Sequence, residues 1–320
     1  MRAQPGGGPP GLENLPRPRA LVVGGGGCLG AAHVGVGSAL EEHGFVPDLV
    51  VGTSVGALNG AIVSAHPGEA APWLREVWTH MTRRRIARLR MPYPHPVGGV
   101  FSSDGLRWLI DRAGLPASVE ELPVPFRAVA TDLASGGEVS MGRGDLVSAL
   151  LASAAVPGVL PPVERDGRVL VDGGVIAYVP VLAALVCGAA SVVALSSGPE
   201  SWPLRPVLPP LRATAVAGRA GLLVLHHQIE RDLQQVASTV PTVVVPTGID
   251  DWPSPWDFSQ ADRLIATARD TARRFLAETP IEPTPGLYRA PGYDAGDPLS
   301  SAASAGGERP DRSADPRVPR

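Results

Sequence analysis

Strand and helix signals alternate along this chain, and that alternation predicts an α/β fold with a mostly parallel central sheet covered by helices on both faces. A second observation agrees. Three stretches, Ala20–Leu40, Leu49–Gly68 and Gly173–Pro199, contain no Asp, Glu, Lys or Arg. Each is long enough to span a bilayer, yet each is interrupted by glycines or by Pro180 and reads as a Val-rich strand feeding a small-residue helix. Parallel strands buried on both faces produce such uncharged runs. Hydrophobic residues make up 44% of the 320 positions, enough for a sizeable core.

The elements follow in order. Arg19–Val23 reads as a strand and Gly30–His43 as a helix stopped by Gly44. Asp48–Val51 is a second strand and Val55–Ala65 a second helix, with further helices over Trp73–Leu89 and Asp104–Ala113. Phe126–Asp132 and Glu138–Met141 form a hairpin around Ser135-Gly136-Gly137, and Asp145–Ala154 is a short helix. Strands at Val169–Val171 and Ser191–Leu195 flank a helix over Pro180–Cys187. A long helix covers Leu211–Ser238, Thr242–Val245 is a late strand, and Ser259–Glu278 a final helix. Residues 1–18 and 281–320, dense in Pro, Gly and Ser, read as a disordered leader and tail around one domain at 19–280.

Composition narrows the function. The net charge of −3 gives no reason to expect nucleic acid as a partner. All 28 basic residues are arginine, so lysine chemistry of the Schiff-base or P-loop kind is excluded. Two cysteines, Cys28 and Cys187, make no disulfide framework, which fits a reducing, cytoplasmic setting. No apolar signal segment is visible at the start.

Three motifs carry the chemistry. Gly52-Thr53-Ser54-Val55-Gly56 is a G-x-S-x-G sequence between a strand and a helix. A serine on so sharp a turn has its hydroxyl pushed into the open, while the flanking glycines remove side chains that would collide. Gly24 to Gly27, then Cys28, Leu29 and Gly30, follow the first strand, and backbone N–H groups in such a loop can converge on an anion. Residues 25–30 also satisfy G-x-G-x-x-G, but the acidic residue that a dinucleotide site wants after the next strand is missing: Val50 and Val51 run directly into Gly52. Asp172-Gly173-Gly174 ends another strand, where a carboxylate on a side-chain-free turn can approach a serine hydroxyl.

Together these segments resemble the patatin-like phospholipases. Leu21–Gly30, Ala31–Gly35, Gly52–Gly56 and Asp172–Gly174 carry the likeness, and Ala130–Leu133, Ser153–Gly158, Pro161–Val163 and Trp256–Phe258 extend it over about residues 19–278. The resemblance implies a three-layer α/β/α sandwich and hydrolysis of acyl esters on lipids. It implies a Ser–Asp dyad of Ser54 and Asp172, with the backbone of Gly25, Gly26, Gly27, Cys28, Leu29 and Gly30 as oxyanion hole, and no metal or organic cofactor. Two positions depart from it: Leu29 stands where members usually carry Arg or Lys, and Ile176-Ala177-Tyr178 replaces an Asn-rich turn. Both bear on a phosphate-carrying substrate more than on the hydrolysis, and keep a soluble ester or thioester as a second reading. A non-catalytic lipid-binding protein of the same fold is a third.

Among other candidates, His33, one turn into its helix, and the mid-helix pair His226-His227 read as packed or surface residues rather than the base of a Ser-His-Asp triad. Cys28 reads as a space-filler, having neither a base nor a cation beside it in sequence. Trp73–Tyr93 sets Trp73, Trp78, Met81 and Ile86 beside Arg83, Arg84, Arg85, Arg88 and Arg90, the pattern of a basic amphipathic helix that makes peripheral contact with a membrane.

Overall fold

The computed structural model describes residues 11–86, 88–89, 98–197, 213–249 and 257–290. The chain opens with strand β1 (Arg19–Val23), helix α1 (Ala31–Glu42), β2 (Leu49–Thr53) and α2 (Val55–Ala65). Helices α3 (Ala71–His80) and α4 (Arg83–Ile86), the short strands β3 (Arg88–Leu89) and β4 (Phe101–Ser102), and α5 (Asp104–Arg112) come next. Then follow β5 (Phe126–Asp132), β6 (Glu138–Met141), α6 (Leu146–Ser153), β7 (Val163–Arg165) and β8 (Arg168–Asp172). The last elements are α7 (Val181–Val186), β9 (Ser191–Leu195), α8 (Ala213–Ala237), β10 (Pro241–Val245), α9 (Ala261–Glu278) and β11 (Gly286–Tyr288).

The main sheet runs β11-β10-β9-β1-β2-β5-β8-β7, with β6 branching from β5. Every pairing from β11 to β5 is parallel, while β6, β7 and β8 join antiparallel. Alternate strand residues feed two cores, as a period of two requires. Leu21, Val23, Val50, Phe126 and Val193 pack under α1, α2, α6 and α9, while Ala20, Val22, Val51, Val192 and Val244 pack against α7 and the second half of α8. The fold is therefore an α/β/α sandwich with a mostly parallel sheet. The uncharged runs of the sequence form its strand–helix pairs, and no helix among the described residues is long and apolar enough to cross a membrane.

Several expectations need correcting. The helix expected over Trp73–Leu89 is not one element. It breaks at Met81, which is extended (φ −78°, ψ 99°), into α3, α4 and β3. Trp78 and Met81 are buried at 3% and 6% exposure, and Trp73 stacks on His66, so no single basic amphipathic face exists there; Arg90 and Tyr93 lie outside the described residues. Packing claims Trp78 and Met81 from the expected stripe, while Trp73 remains 47% exposed. The boundaries at 19 and 280 also move. Leu12, Leu15 and Ile281 are buried, and Gly286–Tyr288 pairs in parallel with β10. A few apolar anchors suffice to order segments whose average composition argues against it; residues 1–10 and 291–320 lie outside the described residues. The hairpin of β7 with β8 escaped the sequence reading because Val163–Arg165 is only three residues long.

Helix α1 lies almost in backbone contact with α9. A Cβ at Gly35 would sit 2.2 Å from the Ile265 carbonyl oxygen and 2.7 Å from the Arg269 nitrogen, whereas one at Gly37 would meet nothing nearer than 4.0 Å. Gly35→Ala is therefore expected to destabilise the protein by about 1–3 kcal/mol through overpacking. Gly37→Ala is expected to be neutral or to stabilise by up to about 1 kcal/mol, because alanine is the better helix former. Urea unfolding of both variants checks the contrast.

Candidate active site

Ser54 terminates β2 and caps α2 with φ 57° and ψ −127°, a left-handed conformation that non-glycine residues rarely adopt. Such strain costs on the order of 1–3 kcal/mol and persists only where the surroundings over-determine it. Here they do. The Ser54 N–H donates to Ser153 Oγ at 2.9 Å, and that hydroxyl donates to the Val129 carbonyl at 2.6 Å. Thr53 Oγ1 donates to the Ala177 carbonyl at 2.8 Å. The flanking glycines are obligatory, because a Cβ at Gly52 would meet the Gly56 oxygen at 2.4 Å and one at Gly56 would meet the Val23 oxygen at 2.2 Å.

The strand register delivers Asp172 to the same place. Thr53 faces Val129 across β2 and β5, and the next residue of β5, Ala130, faces Asp172 of β8. The sequence places Asp172 at the end of a strand, in a sheet expected to be mostly parallel. The structure instead brings β8 in antiparallel, so the strand enters the site from outside and stops level with Ser54. Gly173 permits the stop, since a Cβ there would collide with the Val129 oxygen at 2.4 Å.

The Asp172 side chain is buried at 5% exposure. Oδ1 accepts the Gly174 N–H at 2.7 Å, while Oδ2 makes no hydrogen bond of ordinary geometry. Burial raises this carboxyl from its ordinary 3.8 to about 6, against the opposing pull of the Ser54 hydroxyl and then of the Gly174 N–H. The hydroxyl is thus near enough to favour the carboxylate, and the buried oxygen that lacks a proton donor is the one left for it.

The glycine loop runs past both. Its N–H groups divide sharply. Gly24 donates to the Leu195 carbonyl and Gly25 to the Tyr178 carbonyl, each at 2.8 Å, and Leu29 donates to the Gly26 carbonyl at 3.2 Å. Gly25 and Leu29, which the resemblance includes in the oxyanion hole, therefore drop out as donors to a ligand. Cys28 and Gly30 are buried and do not line the cavity. Gly26 (φ 146°) and Gly27 (φ 57°) do line it, and their N–H groups make no hydrogen bond among the described residues. Gly26 must be glycine, because a Cβ would lie 2.5 Å from Ser197 Cβ. Gly30 allows the loop to touch the Ser54 helix, where a Cβ would meet Val55 Cγ1 at 2.7 Å.

A buried polar network, which no local motif announces, fastens this loop. Trp78 Nε1 can only donate, and it takes Asn59 Oδ1 at 3.1 Å. The Asn59 amide nitrogen therefore donates to the Gly30 carbonyl (3.0 Å) and to His33 Nδ1 (3.2 Å). His33 must then carry its proton on Nε2, which donates to Ser197 Oγ at 2.7 Å, beside Gly26. Burial holds this imidazole neutral by lowering its pKa to about 3. His33 is thus committed to the loop, with both ring nitrogens occupied away from Ser54. Burial likewise pushes the Cys28 thiol up to about 11, which leaves it a poor nucleophile.

Ser54, Asp172, Gly26 and Gly27 open into a cavity of about 530 Å³. Its walls are apolar, with Leu29, Ile86, Leu106, Leu160, Leu222 and Phe258 among them, and among the described residues neither an arginine nor a histidine lines it. Leu29 thus adds hydrocarbon where the sequence comparison expects a cation.

The chain belongs to the patatin-like phospholipase family, whose sequence model matches residues 21–185. It is similar to an uncharacterized NTE family protein of Mycobacterium tuberculosis, 38% identical over 196 residues, which are 61% of this chain and 53% of that one. It is also similar to the human patatin-like phospholipase domain-containing protein 6, 32% identical over 183 residues, 57% of this chain and 13% of that protein. The chain therefore spans about half the length of the mycobacterial relative and a small part of the human one. Among solved structures, VipD from Legionella pneumophila superposes with a TM-score of 0.43 at 13% identity, covering 82% of this chain and 67% of that one.

Replacing Asn59 with leucine, similar in size, strands the Trp78 N–H and His33 Nδ1 together and takes from the Gly30 carbonyl its side-chain donor. The expected loss is about 2–5 kcal/mol, read as a lowered midpoint in urea unfolding.

Proposed function

We propose that the protein is a lipid acyl hydrolase in which Ser54 is the nucleophile, Asp172 the base, and the amides of Gly26 and Gly27 the oxyanion donors. The observation that carries this reading is the buried Asp172 Oδ2, which lacks an ordinary partner and lies beside a serine held at φ 57°. As Ser54 Oγ attacks the ester carbonyl carbon, its proton passes to Asp172 and the carbonyl electron pair moves onto oxygen, facing the two amides. Collapse of this intermediate expels the alcohol, which takes the proton from Asp172 and leaves an acyl-serine. Water then attacks the acyl carbon and gives its proton to Asp172. The fatty acid departs, and the proton returns to Ser54 Oγ.

The wall chemistry supports a hydrocarbon chain as the acyl group, since burying apolar surface contributes roughly 25 cal/mol per Å². With no basic residue among the described residues of the wall, the cavity favours, as a second reading, an acyl ester without a phosphate. Hydrolysis of a phospholipid beside a neutral glyceride of the same acyl chain separates the two.

The pH dependence follows from Asp172. A base works ionised, so kcat/KM is expected to fall about tenfold per unit as pH drops below about 6. The same burial opposes folding. With the folded pKa about 6 and the ordinary value 3.8, Asp172 leaves stability intact below 3.8, erodes it as pH rises to about 6, and changes it no further above. Asp172→Asn is therefore expected to abolish ester hydrolysis while raising Tm at pH 8 more than at pH 4. Ser54→Ala is expected to lose both nitrophenyl ester hydrolysis and labelling by a fluorophosphonate; activity retained in that variant contradicts the mechanism.

A further inference from the structure

We propose that the first half of α8 and the arginines of α4 dock the protein on an anionic lipid bilayer, with the mouth of the cavity turned toward it. The proposal deepens the lipid-hydrolase reading and rests on it only in taking the cavity as the lipid's destination.

Helix α8 changes character partway along. From Ala213 to Leu225 its only charged residue is Arg219, and Ala217, Ala220 and Val224 stand exposed to water, with Val216 47% and Val224 69% exposed. From His227 onward the outward positions are polar, His227, Arg231, Gln234 and Gln235, while Leu233 and Val236 bury into the core. An ordinary surface helix is apolar only toward its core. Here the first half is apolar on both sides: Leu222 and Leu225 line the cavity, and Val216 and Val224 face out. Those 13 residues are about 20 Å long at 1.5 Å per residue, short of the roughly 30 Å hydrocarbon core. They have the length of a helix that lies in the interface rather than across it.

The charge around the same cavity selects the kind of surface. Helix α4 places Arg83, Arg84 and Arg85 side by side and exposed, followed by Ile86 in the cavity wall. Arg83 and Arg84 form no ion pair among the described residues, and Arg85 lies 5.0 Å over the ring of Trp108, itself 41% exposed. The acidic groups on the adjoining helices are Asp104 and Asp111 of α5 and Glu76 of α3, and Glu76 pairs with Arg112 and His80. An exposed Trp among arginines suits a headgroup layer carrying negative charge. Val156 and Val175, also in the cavity wall, are exposed at 36% and 51%, so the apolar surface continues into the opening.

The test is co-sedimentation of the full chain with vesicles of phosphatidylcholine alone and of equimolar phosphatidylcholine and phosphatidylglycerol, beside light scattering without lipid. The protein is expected to bind the mixed vesicles at least about tenfold more tightly than the neutral ones. The double variants Val216→Asp/Val224→Asp and Arg83→Glu/Arg84→Glu are each expected to weaken that binding by about tenfold or more. Both should keep wild-type hydrolysis of a short soluble ester, because none of these side chains lines the cavity. Wild-type binding by the variants, equal binding to the two vesicle types, or no binding at all overturns the proposal. So does a dimer that Val216→Asp/Val224→Asp dissolves, which assigns the apolar face to a second copy. Vesicle binding needs no turnover, so failure of the docking surface and failure of the hydrolase reading are told apart.

Discussion

The site depends on one costly combination: a carboxylate taken out of water, with one oxygen lacking an ordinary partner, set beside a serine in a left-handed backbone conformation. Each feature opposes folding. A buried acceptor without a donor costs on the order of 1–3 kcal/mol, and the strained turn a similar amount. Both are offset by what surrounds them. Three strands in register, the glycines that let backbones touch, and the Ser153 bridge from α6 fix the turn so completely that Ser54 has no relaxed alternative.

The glycine loop obeys the same logic with different atoms. Its ends are tied by Gly24 to β9, by Gly25 to the Tyr178 carbonyl, and by Asn59 at Gly30, with Ser197, the partner of His33, pressed against Gly26. Among the described residues the amides of Gly26 and Gly27 stay uncommitted, in the wall of the cavity that Ser54 also lines. The histidine that might be taken for a catalytic base is instead part of the scaffold, neutral and fully occupied.

Much of this was legible in the sequence because it is written in backbone requirements. Gly52 and Gly56 report close approach, and Val55–Ala65 appears with its expected limits. The alternation of Val-rich strands with helices reports a parallel sheet, and the resemblance added its three layers. Side-chain partnerships across the fold were not legible. Nothing local tells that the Gly25 N–H is taken by Tyr178, that His33 meets Ser197 across 164 positions, or that β8 runs antiparallel, since these depend on which distant segments meet. Periodicity failed at Trp73–Leu89 for a related reason, because burial of Trp78 and the extended Met81 overrode the helical pattern.

The interaction of Ser54 with Asp172 is most directly measured by carboxyl titration, followed by NMR, in the wild-type protein and in Ser54→Ala. If the hydroxyl favours the carboxylate across the site, Asp172 titrates near 6 and moves higher when the hydroxyl is removed. A titration near 3.8 in the wild type, or one that the substitution leaves unchanged, contradicts the pairing and the mechanism built on it.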